Sequence, residues 1–139
     1  MNNSYIWDKY IRHFSKTEKW GDWAKINGML LYLLERIRER TKKPVIIHCA
    51  YETSGHSQNS MHYSGNAADF HISGMDLYFA YQMIMQILRD YQMHDHTGLG
   101  IYLDWHNQGF HLDLRAKKGR WGRIDGKYVA INTVLERIR

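Results

Sequence analysis

The sequence predicts an α+β fold: a small antiparallel or mixed sheet with helices packed on it. Two observations carry this. Apolar residues recur at helical spacing over residues 21–41 and 74–92, and short β-branched or apolar runs at 45–50, 67–72, 98–103 and 110–114 read as strands. No internal repeat, low-complexity tract or linker interrupts them, so one domain, 1–139, is expected. A chain of this length can bury a real core without disulfide staples. Its 44% apolar and 14% aromatic residues argue for a packed globule.

Each element has its own signal. Residues 4–14 mix aromatics and charges and predict a short helix packed by Tyr5, Ile6, Tyr10 and Phe14. In residues 21–41, Trp23, Ile26, Leu30, Leu33, Leu34 and Ile37 form an apolar stripe, with Asp22 near the start and basic residues at the end. The charges at 35–40 read as a solvated helix face. Pro44, the only proline, ends the helix, and Val45-Ile46-Ile47-His48-Cys49-Ala50 follows as a buried strand. Residues 52–66 are mostly polar, and a loop this long in a compact domain is usually functional or disordered. Residues 67–72 predict a second strand. Ser73 is the expected N-cap of a helix over 74–92, striped by Leu77, Tyr78, Tyr81, Ile84, Met85, Leu88 and Tyr91. Residues 98–103 and 110–114 are the third and fourth strands. Asp125-Gly126 within 121–129 signals a hairpin, and Ile131, Val134, Leu135 and Ile138 a closing helix.

Charge and cysteine count narrow the function. A net charge of +5 and a pI near 9.3 favour a polyanionic partner, whether nucleic acid, a membrane surface or an anionic cell wall. A single cysteine, Cys49, rules out an intramolecular disulfide and a Cys-rich zinc finger. Residues 1–10 lack a basic stretch followed by an apolar run, so no secretory signal is expected. The longest strongly apolar run, 29–34, is far too short to span a bilayer. A soluble protein made in the cytoplasm is expected, without membrane insertion.

The chemistry concentrates in two stretches. Ser60-Met61-His62-Tyr63-Ser64-Gly65-Asn66-Ala67-Ala68-Asp69 puts a histidine and a carboxylate where a polar loop meets an apolar run. Gly109-Phe110-His111-Leu112-Asp113-Leu114-Arg115 offers a second such pair. His62, Asp69 and His111 would make a three-ligand site for catalytic zinc, with a fourth position open. No His-Glu-x-x-His helix is present. His71 competes, because residues 69 and 71 of a strand share a face. By the same rule His111 and Asp113 share a face, and Asp113 would orient the ring. His13, His48, His56, His94 and His96 are each more economically read as surface or hydrogen-bonded residues.

Ser60-x-His62-x-x-Gly65-x-Ala67-x-Asp69, then Gly98-x-Gly100-x-Tyr102, then Phe110-His111-x-Asp113-x-Arg115, resembles the zinc D-alanyl-D-alanine peptidases of bacterial cell walls, a group that includes phage endolysins. The resemblance spans roughly residues 44–122. It implies His62, Asp69 and His111 as zinc ligands and a peptidoglycan peptide as substrate. It also implies a catalytic base a few residues before the last ligand. Gln108 stands where many members have an acid; His106 matches the subset with histidine, and Asp104 is the fallback. The family's Ser-Gly-Tyr-Arg is here Cys49-Ala50-Tyr51-Glu52, reversing the charge of a carbonyl-holding arginine, for which Arg115 or another basic group would have to compensate. The expectation is thus a single-domain wall peptidase, a monomer, of carboxypeptidase or endopeptidase type. As a lysin it would reach the wall through a separately made pore. Two other readings stay open: a zinc-containing module that binds a wall peptide or protein without cutting, favoured by Glu52 and Gln108, and a metal-dependent nuclease. The nuclease lacks a grouped basic and aromatic motif, so no nucleic-acid partner is expected.

Overall fold

The computed structural model describes residues 4–139; residues 1–3, part of the stretch read for a secretory signal, lie outside them. Four helices, α1 (Ser4–Tyr10), α2 (Gly28–Thr41), α3 (Leu77–Asp90) and α4 (Ile131–Ile138), accompany six strands. The strands are β1 (Val45–Cys49), β2 (Ala67–Ile72), β3 (Thr97–Tyr102), β4 (Gly109–Leu114), β5 (Gly119–Ile124) and β6 (Lys127–Ala130). They form one sheet in the order β1-β2-β4-β3-β5-β6. Only β3 and β5 run parallel, so the sheet is mixed and the expected α+β class holds. No helix among the described residues is long and apolar enough to cross a membrane.

Strand alternation divides the sheet into two chemically different faces. Phe70, Leu99, Ile101, Phe110 and Leu112 point to the helices and pack with Leu30, Leu34, Ile37, Ile84, Ile87 and Leu88, all fully buried. The intervening residues, Asp69, Gly98, Gly100, His111 and Asp113, form the opposite face. The apolar stripes of α2 and α3 therefore anchor the side of the sheet that does not carry the chemistry.

Several boundaries differ from the expectation. The Asp22 carboxylate accepts from the Ala24 N–H and caps only a short 3-10 turn, Trp23–Lys25. Ile26 is extended, and α2 starts afresh with the Asn27 side chain accepting from the Met29 N–H. Asp76, not Ser73, caps α3 by accepting from the Phe79 N–H at 2.9 Å. Ser73 is spent on the turn out of β2, where its N–H donates to the Pro44 carbonyl. Around α1 the buried residues are Trp7, Ile11 and Phe14, whereas Tyr5 is 62% exposed and Tyr10 lies edge-on to Tyr32 near the surface.

Candidate metal centre

His62 is placed by a short 3-10 turn, Met61–Ser64. The Ser60 hydroxyl accepts from the His62 N–H at 3.1 Å and starts the turn. Gly65 ends it in a left-handed conformation, φ +74°, that side chains disfavour. A Cβ at Gly65 would lie 1.9 Å from the Lys25 carbonyl oxygen, and the Gly65 carbonyl accepts from the Asn27 N–H. The turn is thus seated against the segment leading into α2. It leaves the His62 ring buried, with Nδ1 2.7 Å from the Ala50 carbonyl oxygen. A carbonyl only accepts, so Nδ1 donates to Ala50, and this leaves Nε2 facing Asp69 Oδ1, 3.3 Å away.

Asp69 and His111 meet because the antiparallel register of β2 and β4 places them opposite one another. His111 Nδ1 lies 2.8 Å from Asp69 Oδ1, and Nε2 lies 2.6 Å from Asp113 Oδ2. Asp113 is buried and held on three sides. It accepts from the Gly98 N–H at 3.1 Å and from Arg115 Nε and Nη2 at 2.7 and 2.6 Å. Arg115 in turn lies over the Trp121 ring. The glycines of β3 make room for this: Cβ atoms at Gly98 and Gly100 would meet Arg115 and Trp121 at 2.5 Å.

The charges follow the geometry. Burial would raise the Asp69 carboxyl, but hydrogen bonds from His111 and His62 outweigh it and hold the group well below the ordinary carboxylate range. Burial likewise opposes ionisation of Asp113, yet Arg115 and His111 bring it down to about 2. Burial also opposes charge on His111, and the two carboxylates overcome it, raising the imidazolium to about 9. Without a metal the centre therefore encloses a cation, and the proton on His111 Nδ1 occupies space that a metal ion would take.

His62, Asp69 and His111 bring one ligand atom each within 4.8 Å of the others, so the three sequence-predicted ligands do converge. The set fits a metal. Two imidazoles and a carboxylate supply three donors, and each ring's far nitrogen is occupied by Ala50 or Asp113, as metal-binding histidines require. These residues line a cleft of about 910 Å³ that leads to the centre between Tyr102, Trp105, Trp121 and Tyr128.

The other sequence-predicted positions are distributed differently. His106 is exposed on the β3–β4 loop and is not among the residues lining the cleft; its neighbour Trp105 is, stacked on Tyr102 at 4.5 Å. Gln108 tethers that loop, donating to the Leu103 carbonyl, and Asp104 pairs with Arg123. His71 does not join the centre: its Nδ1 lies 2.6 Å from His48 Nε2. His94 and His96 sit in a short turn at the surface, against Asp95 and the Ala116 carbonyl. Arg115 is committed to Asp113.

Two residues near the metal ligands were not singled out by sequence. Between Ile47 and Cys49 the pairing of β1 with β2 slips by one residue, a β-bulge that sets Cys49 opposite Asp69. The Cys49 thiol donates to Asp69 Oδ2 at 3.4 Å, and burial, then Asp69 and Glu52, push it far above its usual range. His56 stacks on His62, with ring centroids 4.1 Å apart and planes 13° apart. Neither signal is local: a bulge has no fixed sequence mark, and His56 is one polar residue in a long loop. No protein-family model matches the chain, and no curated protein matches its sequence.

Proposed function

We propose that the protein is a zinc-dependent peptidase that hydrolyses peptide bonds in bacterial cell-wall peptidoglycan. The observation that carries this reading is the orientation of the two imidazoles. His62 Nδ1 is fixed on Ala50 and His111 Nε2 on Asp113, so His62 Nε2 and His111 Nδ1 converge on Asp69 Oδ1 at the foot of an open cleft. Three protein donors with a remaining open position is the pattern of catalytic rather than structural zinc. Zinc held by these three residues would supply a Lewis acid that polarises a carbonyl and makes water acidic near pH 7.

The chain's own groups divide the remaining work. Asp113 and Arg115 hold the His111 ring in place. Tyr102, Trp105, Trp121 and Tyr128 offer flat apolar walls to an extended peptide, and Arg123, already paired with Asp104, stands among them. His106, at the position the motif resemblance implies but outside the cleft lining, would have to swing in to take a proton from the attacking water oxygen and give one to the departing amine nitrogen. His56 is the second candidate for that proton because it lines the cleft. The basic surface favours the anionic wall.

The test is incubation with isolated peptidoglycan, with and without a chelator, with metal content measured on the same sample. Zinc near one per chain and chelator-sensitive release of amino groups are expected, and the fragment masses name the bond. Zinc without cleavage would identify instead a non-catalytic module that binds wall peptides. His106→Ala should abolish turnover with zinc retained. If that variant turns over normally and His56→Ala does not, the proton role passes to His56.

A further inference from the structure

Asp69 uses its two oxygens in different directions. Oδ1 faces His62 Nε2 and His111 Nδ1, while Oδ2 faces Cys49 Sγ at 3.4 Å. On the Oδ2 side, Cys49, His56 and His62 also bring their ligand atoms within 4.8 Å of one another. Donors about 2.0–2.3 Å from a tetrahedral ion lie about 3.3–3.8 Å apart, so the Cys49–Asp69 separation already has the right span. His56 is held as firmly as a loop residue can be. Its N–H donates to the Tyr63 hydroxyl at 2.9 Å, and that hydroxyl donates back to the His56 carbonyl at 2.7 Å. The clamp fixes the His56 backbone beside His62, and a turn of the ring out of its stack would aim a nitrogen at an ion shared with His62. The bulge in β1 brings the thiol to the same face.

We propose that Cys49, His56 and His62, with Asp69 Oδ2 as a fourth donor, form a second metal position selective for thiophilic ions such as cadmium. The two positions exclude each other, because His62 has one nitrogen to give, its Nδ1 being bound to Ala50. The ligand chemistry separates them. A thiolate adds affinity for soft ions such as cadmium, whereas two imidazoles and a carboxylate without sulfur give soft ions no such advantage over zinc. An ion in the soft position withdraws His62 from the three-ligand centre, so it acts as a poison or a metal-responsive brake. The inference shares His62 and Asp69 with the proposed catalytic centre but does not depend on what that centre cuts.

The test is titration of the metal-free protein with cadmium chloride alone, followed by the ultraviolet charge-transfer band of a cadmium–thiolate bond. Cys49 is the only cysteine, so the band reports this site. The wild type should develop the band and saturate at one equivalent. Cys49→Ser should lose it, His56→Ala should weaken cadmium binding by about 10–100-fold, and His111→Ala should keep it. Absence of the band in the wild type would overturn the proposal. So would a band that His111→Ala abolishes and His56→Ala leaves at full affinity, since Cys49 would then only supplement the three-ligand centre. None of these readouts involves hydrolysis, so a protein unable to cut peptidoglycan would leave the outcome standing.

Discussion

Asp113 orients a candidate metal ligand without itself facing the metal position. It accepts from His111 Nε2 and thereby fixes which nitrogen faces Asp69. Asp113→Asn should lower metal affinity by about 10–100-fold, measured by competition with a chelator, while the sheet stays folded. The proton on His111 gives a second prediction. Its folded pKa is raised, from 6.5 to about 9, so in the metal-free protein its stabilisation is complete below pH 6.5 and fades as pH rises through about 9. A metal must displace that proton. Metal affinity should therefore rise by about tenfold per pH unit between pH 6.5 and about 9, with one proton released per ion. Flat affinity across that window would place the metal elsewhere. The convergence of His62, Asp69 and His111 and the contact of Asp113 with the His111 ring were legible in the sequence from strand alternation and motif spacing. Cys49 and His56 were not, because a bulge and a loop clamp put them beside the centre.

Elements matter where they seat these side chains. The turn Met61–Ser64 depends on Gly65, whose φ of +74° and contact with the Lys25 carbonyl leave no room for a methyl group. Gly65→Ala should cost at least ~2 kcal/mol from backbone strain and displacement. It should also weaken metal binding, because His62 rides on the turn; a fall in melting temperature with unchanged metal affinity would separate the two. In the middle of α2, buried Glu35 accepts from the Arg12 and His13 N–H groups at 2.9 and 3.0 Å and pairs with the His13 ring. Burial opposes its charge, but these His13 and Arg12 contacts hold its pKa below the ordinary value. That stabilisation is present above the ordinary carboxylate range and is lost as pH falls through the depressed value. Glu35→Ala should destabilise the fold by about 3 kcal/mol, read in urea melts, since it strands two backbone donors. The helices and strands were legible from periodicity. The start of α2 was not, because Asp22 and Asn27 are both good caps and only tertiary packing shows which one opens the helix.

At the scale of the molecule, the centre and the core lie on opposite faces of one sheet. The candidate ligands come from a loop turn, β2 and β4, so an ion bound there would cross-link three pieces of chain. The core beneath, from Leu30 and Ile84 to Phe110, closes without touching the ion. That separation predicts a folded metal-free protein. Chelation should leave the far-ultraviolet circular dichroism unchanged and lower the melting temperature by an amount that grows with the metal concentration of the reference sample. At a hundredfold excess of metal over its Kd the linkage is about 2.7 kcal/mol, roughly 10 °C for a domain of this size. Loss of the helical signal on chelation would mean that the ion builds the sheet and does not merely occupy it. The ligands would then belong to the folding nucleus, and the open fourth position would lose its strongest structural argument. A folded, cleft-bearing metal-free protein keeps that position available for chemistry, because the scaffold that aims His62 and His111 is complete before the metal arrives.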